Sequence, residues 1–376
     1  FGIPSFNIGG DSNSLYQDVI LSQMSRGSFN SNYVLNTIQN TFTMDKMVEA
    51  ITSGGAGQLE RALFVFDECH HVGRPRYSNY VEKGITFEKV LGLSATPFAP
   101  ETVEEFDADN WLIDDTSFAD PAPARNEQIR HLLGDVVHNF TLKQAMDLDY
   151  LTKYDYNIHV VEMTEEETND YVAFREQIGE QMHWDSPTAV HQSRLLIKGI
   201  SGKINAFANV IRDHYKPGQH WLVYCSHDGF LQQARRVLQD ADHEWWEYTS
   251  HNSESRDTHM ESFRTYGGIM LAVKCLDEGV DIPSITHGII LSSSTVEREF
   301  VQRRGRMLRG AEGKTKAVIY DAVTMPHIGT TDSGIIDSIM RHEIARIHHF
   351  EEDATNKDEI KIILNYISRT IGAMGE

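Results

Sequence analysis

Short apolar runs rich in β-branched residues alternate along this chain with helix-period segments, a pattern that admits one main solution: parallel sheets covered by helices on both faces. The pattern occurs twice. Tyr33-Val34-Leu35, Ala62-Leu63-Phe64-Val65-Phe66 and Lys89-Val90-Leu91-Gly92-Leu93 form a first set of expected buried strands. Trp221-Leu222-Val223-Tyr224, Ile269-Met270-Leu271-Ala272-Val273, Gly288-Ile289-Ile290-Leu291 and Ala317-Val318-Ile319-Tyr320 form a second. Between the sets, over residues 97–199, an acidic loop containing Pro121 and Pro123 gives way to helix-favouring stretches. One of these opens with Thr164 and has Glu167 three residues on, the pattern of a capping box. After Asp332 the pattern is helical to the end. The expectation is an α/β chain with lobe one at 1–160, a helical connector at 161–200, lobe two at 201–330 and a helical extension at 331–376.

The chain has 376 residues, 40% of them hydrophobic and 24% charged, the balance of a globular protein with a substantial core. No apolar run approaches the roughly eighteen residues of a spanning helix, so no membrane partner and a cytoplasmic location are expected. Cys69, Cys225 and Cys275 are far apart and form no Cys-x-x-Cys pair, which argues against a disulfide framework or a zinc site. The net charge of −21 is awkward for a nucleic-acid binder. Its sign is segregated, however. Glu101, Glu104, Glu105, Asp107, Asp109, Asp114, Asp115 and Asp120 form one block, and Arg298, Arg303, Arg304, Arg306, Arg309, Lys314 and Lys316 another.

Several strand ends carry residues with chemical potential. Asp67 and Glu68 stand at the tip of an apolar strand, where open α/β sheets bind ligands. They continue into Cys69 and His70. The next strand runs into Leu93-Ser94-Ala95-Thr96-Pro97, and the hydroxyls of Ser94 and Thr96 emerge beside the acids if the two strands are neighbours. Downstream, Leu276-Asp277-Glu278-Gly279-Val280-Asp281-Ile282-Pro283 follows a strand. Gly279 there allows close approach to a ligand, and Asp281 can accept from a ribose. In Gln302-Arg303-Arg304-Gly305-Arg306-Met307-Leu308-Arg309, the arginines at 306 and 309 are spaced to share a helix face. Taken singly, these are equally a solvated strand end, a turn before proline and a solvated basic helix. Their order decides.

Asp-Glu-Cys-His, Ser-Ala-Thr, Tyr224-Cys225-Ser226-His227, Glu-Gly-Val-Asp and Gln-Arg-Arg-Gly-Arg together resemble motifs II to VI of the superfamily 2 helicases. The resemblance covers about residues 30 to 325. The forms are similar to the DEAD/DEAH-box-like proteins and, within the superfamily, to the Ssl2-like or type III restriction-like branch, whose members are mostly DNA translocases of repair, restriction and phage defence. It implies two RecA-like lobes that use ATP and Mg²⁺ and act on DNA, with RNA the less expected substrate. A nuclease or methylase, associated or fused, is an expected partner. Asp67 would hold Mg²⁺ through water, Glu68 would activate the attacking water, and His70 would sense the γ-phosphate. Gln302, Arg306 and Arg309 would surround that phosphate, Gly279 and Asp281 would serve ATP binding, and Ser94 and Thr96 would couple the lobes. Thr37, Gln39, Ser226, His227, Thr249, Ser250 and Lys274 stand where the family touches the nucleic-acid backbone. The threonine common in motif V is Val273 here, which leaves Lys274 as that contact.

The phosphate loop Gly-x-x-x-x-Gly-Lys-Ser/Thr is absent. Gly313-Lys314-Thr315 and Gly202-Lys203 are better read as turns. The resemblance begins near motif Ib at Leu35-Asn36-Thr37-Ile38-Gln39, so the expectation is a sequence truncated before that motif and of little ATPase activity alone. His342-Glu343 begins like a zincin motif, but Arg346 occupies the place of its second histidine. Trp245-Trp246 with Tyr248 reads as a core strand before a base-stacking platform. The expected activity is that of an ATP-driven DNA helicase or translocase, against an RNA helicase or a catalytically silent nucleic-acid-binding module.

Overall fold

The computed structural model describes residues 5–8, 22, 34–37, 63–70, 89–98, 122–181, 196, 197, 199–225, 227–249, 255–273, 282, 284–291 and 297–374. The chain divides into two compact units, Phe1–Ala99 with Ser117–Val136 and Pro100–Thr116 with Val137–Glu376.

In the first unit, strands β1 (Ser5–Ile8) and β2 (Val34–Thr37) pair in parallel, as do β3 (Phe64–Asp67) and β4 (Val90–Leu93). Helix α1 (Ala122–Leu133) packs on β4. Gly92 permits that approach: a Cβ there would fall 2.7 Å from Leu133 Cδ1 and 3.0 Å from Cys69 Sγ. The Arg130 guanidinium adds a contact 4.3 Å above the Phe98 ring.

The second unit begins with the short helix α2 (Leu142–Asp147), whose Thr141 and Gln144 form a reciprocal capping box. Strand β5 (Tyr154–Glu162) and helix α3 (Glu165–Gln181) follow. The predicted Thr164–Glu167 box is present, each residue's side chain accepting from the other's amide at 3.1 and 2.9 Å. Next come α4 (Gly202–His214), β6 (His220–Cys225), α5 (Asp228–Asp240), β7 (Trp245–Tyr248), α6 (Arg256–Tyr266), β8 (Gly268–Val273) and β9 (His287–Ile290). Helix α7 (Glu297–Met307), β10 (Ala317–Met325), α8 (Ser333–Glu351) and α9 (Lys357–Met374) complete it.

Six strands form one parallel sheet in the order β5-β10-β9-β6-β8-β7. After β6 the chain moves to the β7 edge and returns through β8, then passes to β9 on the other side of β6. The strand order therefore reverses around β6, and the C-terminal ends of β6, β8 and β9 border the place where such sheets bind ligands. Central strands β6 and β8 are buried almost throughout, as sequences covered on both faces should be. Trp245 and Trp246 lie in a strand, as the sequence indicates.

Strand β5 corrects the expected boundaries. It pairs over nine residues with β10, so residue 160, drawn as the end of lobe one, falls inside a strand of the second sheet. The division between units lies at Val136–Val137. The reason is non-local: among the described residues β5 is an edge strand, and its partner β10 is 163 residues downstream at Tyr154↔Ala317.

The C-terminal helices lock onto this sheet through a buried ionic cluster. Arg346 of α8 donates from Nε to Asp321 Oδ2 at 2.8 Å and from Nη2 to Glu343 Oε2 at 2.7 Å. Tyr156 of β5 donates its hydroxyl to Asp321 Oδ2 at 2.6 Å, and the Thr324 amide donates to Glu343 Oε2 at 2.9 Å. Lys203 of α4 is fully buried, and its charge lies close enough to help hold the Glu343 carboxyl below its ordinary range, after Arg346.

At the β6–β9–β10 face, His287 lies flat on Trp221 with ring centroids 4.3 Å apart, and Tyr320 stacks on the same indole at 5.6 Å. Burial, helped by nearby His214, lowers the His287 pKa to about 4; burial and then Arg304 do the same to His349. Between the ordinary value of 6.5 and about 4, the unfolded chain therefore binds more protons than the folded one, and stability falls as pH drops through that window. Melting temperature against pH checks this. His287→Phe keeps a stacked ring that cannot be protonated, and it should flatten the acid limb; an unchanged slope contradicts the assignment.

Candidate functional site

Because Asp67 pairs with Leu93 in the β3–β4 ladder, Glu68 and Ser94 leave adjacent strand ends side by side. The condition set on the sequence, that the two strands be neighbours, is met. Asp67 Oδ1 accepts the Glu68 amide at 3.0 Å, which fixes the first carboxylate at the strand tip. Glu68 itself has φ +48, in the left-handed region that non-glycine residues occupy rarely and that clusters at functional sites. The turn brings Glu68 Oε2 to 3.2 Å from His70 Nδ1. Ser94 Oγ lies 3.1 Å from the same nitrogen and accepts the Thr96 amide at 3.2 Å. A carboxylate only accepts, so His70 Nδ1 carries a proton, directed between acid and hydroxyl. His70 is 1% exposed, and Cys69 beside it is buried, its thiol pKa raised by burial and then by Glu68.

Thus Asp67, Glu68, His70, Ser94 and Thr96 converge as read from the sequence. Asp67 offers a hard oxygen donor of the kind Mg²⁺ takes, with nucleotide phosphates as its usual further ligands. Among the described residues no group of three or more His, Cys, Asp or Glu could hold a metal by itself.

In the second unit α7 carries Gln302 and Arg306 four residues apart on one face, both half-buried. Its neighbours anchor it. Arg303 packs 4.9 Å from the Tyr224 ring centroid. Arg304 donates to the His349 carbonyl at 3.0 Å, to His349 Nε2 at 2.8 Å and to Tyr154 Oη at 3.3 Å. These two guanidiniums are buried, so a solvated basic helix face does not describe them. Gly288 of β9 admits Met307, whose Sδ would stand 1.8 Å from a Cβ there. The shared helix face expected for Arg306 and Arg309 is corrected, since α7 ends at Met307. Arg309 lies two residues beyond, in an antiparallel bridge with Leu151, and the Thr152 amide takes the Leu308 carbonyl at 2.7 Å.

The expected nucleic-acid contacts fare differently. Thr37 ends β2 opposite Ile8. His227 is the N-cap of α5, its Nδ1 accepting the Phe230 amide at 3.3 Å, so its proton sits on Nε2. Thr249 is corrected: it is 2% exposed, and its carbonyl accepts Arg256 Nε at 2.8 Å. Gln39, Ser226, Ser250, Lys274, Gly279 and Asp281 lie outside the described residues.

Lys314, taken only as part of a turn, joins the α7 terminus by donating Nζ to the carbonyls of Met307 and Arg309. A cation seven residues beyond the helix end, after a glycine that can reverse the chain, was its sequence signal. Asp321, an acid in the middle of an apolar strand, was the signal for the ionic cluster. His342-Glu343 belongs to that cluster through Glu343, with no zincin geometry.

Residues 10–99 match the family model "Type III restriction enzyme, res subunit", and residues 202–311 match "Helicase conserved C-terminal domain". The chain is 23% identical over 296 residues to the DNA 3'-5' translocase XPB2 of Sulfurisphaera tokodaii, covering 72% of this chain and 60% of that protein. Over 60 residues it is 37% identical to a Methanocaldococcus jannaschii protein provisionally named an ATP-dependent RNA helicase, of which it covers 8%. The chain thus spans less than two thirds of either relative. Among solved structures, the Type ISP restriction-modification enzyme LlaBIII bound to DNA aligns with TM-score 0.55 and 14% identity, over 94% of this chain and 26% of that one. The Pyrococcus furiosus Hef helicase domain aligns with TM-score 0.50 and 13% identity, over 89% and 83%. These two likenesses bear on the fold, which is the RecA-like α/β arrangement of helicase lobes. Both family models match in order along these motifs, and together they support a superfamily 2 helicase of the restriction-like branch.

Proposed function

We propose that the protein is a nucleic-acid-dependent ATPase that moves along or separates DNA, with Glu68 as the base for the attacking water. The observation that carries this reading is the contact of Glu68 with His70 and of His70 with Ser94. A carboxylate in a left-handed turn, tied through a buried imidazole to the next strand, suits a residue that must act on a nucleotide and report on it. Asp67 would hold Mg²⁺, which supplies charge neutralisation at the phosphates when bound. Gln302, Arg306 and Arg309 would stabilise the negative charge that develops on the transferred phosphoryl group. Gly279 and Asp281 are proposed for ATP, Ser94 and Thr96 for coupling, and Thr37, Gln39, Ser226, His227, Ser250 and Lys274 for the phosphodiester backbone.

DNA is preferred over RNA on the restriction-type family model and the translocase relative. The shorter match to a protein named as an RNA helicase keeps RNA as the second reading. A nuclease or methylase remains the partner class proposed. ATP hydrolysis by the full-length protein, measured with duplex DNA, single-stranded DNA and RNA, separates the readings. Stimulation by DNA over RNA is expected; stimulation by RNA alone, or by neither, overturns the DNA assignment.

A further inference from the structure

We propose that Lys314 is a positioning residue for Arg306 and Arg309, its ammonium holding the terminal carbonyls of the segment that carries them. The inference rests on the ATPase reading above. A helix end leaves carbonyls without intrahelical partners, and these carry the negative end of the helix dipole. At the end of α7, three successive carbonyls are taken from outside the helix. Lys314 Nζ donates to Met307 O and to Arg309 O, both at 2.7 Å, and the Thr152 amide donates to Leu308 O at 2.7 Å.

The turn that returns Lys314 to this point is built for it. Gly313 has φ +76, and the Lys314 amide closes the reversal onto Ala311 O at 3.0 Å. Bringing an ammonium there has a cost, visible in the burial that lowers the Lys314 pKa to about 8. A surface lysine would meet no such cost. Since Met307 is seated against Gly288, the segment from Arg306 to Arg309 is fixed to the sheet at one side and to Lys314 and Thr152 at the other. Arg309, beyond the helix, has no helical ladder to orient it; its backbone is oriented by the Leu151 bridge and by Lys314.

The test uses the full-length protein, with kcat and KM for ATP measured at saturating DNA and melting temperature recorded in parallel. Lys314→Met is expected to lower kcat roughly tenfold to a hundredfold with ATP KM changed less than about twofold, the signature of misplaced transition-state groups. Lys314→Arg, which can reach both carbonyls, should recover most of the loss. In a background lacking both guanidiniums, Arg306→Ala with Arg309→Ala, the further loss on Lys314→Met should shrink to less than about threefold, since the groups it positions are gone. Should Lys314→Met fold poorly, Lys314→Gln, which keeps a donor, is expected to show an intermediate loss in kcat. A wild-type kcat in Lys314→Met or Lys314→Gln, or an undiminished loss in the background lacking both arginines, overturns this inference while Glu68-dependent turnover persists. Absence of any Glu68-dependent turnover overturns the ATPase reading and this inference with it.

Discussion

Replacing Arg346 with Met is expected to destabilise the protein by about 3–5 kcal/mol and to lower the melting temperature of its second unit by roughly 6–20 °C. Arg346 is 1% exposed and bridges two carboxylates with three nitrogens, Nε and Nη2 to Asp321 and Nη1 and Nη2 to Glu343. Removing the guanidinium leaves two buried acids facing Lys203 alone among the cluster's cations. A buried charge stripped of its partner costs far more than the intact pair contributes. Lys at this position restores the charge but not the fork, so Arg346→Lys should recover only part of the loss. Methionine fills similar volume, which keeps the comparison electrostatic. Thermal and denaturant unfolding check the result; a loss below about 1 kcal/mol would mean that the acids take up protons or water without strain. The cluster ties α8 to β10 and β5, so its failure should also loosen α7, which Arg304 fastens to His349 on α8.

The same cluster shows where the sequence stops being legible. His342-Glu343 and Arg346 could be read only as an unfinished metal motif, because their partner Asp321 lies across the fold on another element. Strand β5 escaped for a related cause: its partner strand β10 is remote, and an edge strand half-exposed along its length lacks the continuous apolar run that marks β6 and β8. By contrast, the tips of β3 and β4 were legible, because two acids and two hydroxyls after short apolar runs have little use except at a strand end. The capping box at Thr164 was equally local. Arg309 marks the limit of spacing arguments. Three residues from Arg306 implies a common face only while the helix lasts, and α7 stops at Met307. What orients Arg309 is a bridge to Leu151 and a lysine in a turn, neither of which has a sequence period.

Glu68→Gln in the full-length protein carries the other large expected effect. Glutamine has the shape of glutamate and can still accept from His70 Nδ1, so the turn at φ +48 and the link to Ser94 should survive. It cannot accept a proton from water. Loss of a positioned general base is worth roughly 10²–10⁴-fold in rate. Binding of ATP and of DNA should be retained, and melting temperature should move by less than about 2 °C, because the exchanged group is 36% exposed and its ion-pair contribution is small. The most direct test of the account is therefore DNA-stimulated ATP hydrolysis by the full-length protein, compared with its Glu68→Gln variant under the same conditions. The account predicts stimulated turnover in the first and loss of roughly a hundredfold or more in the second, with both still binding ATP. Equal turnover in the two would contradict it.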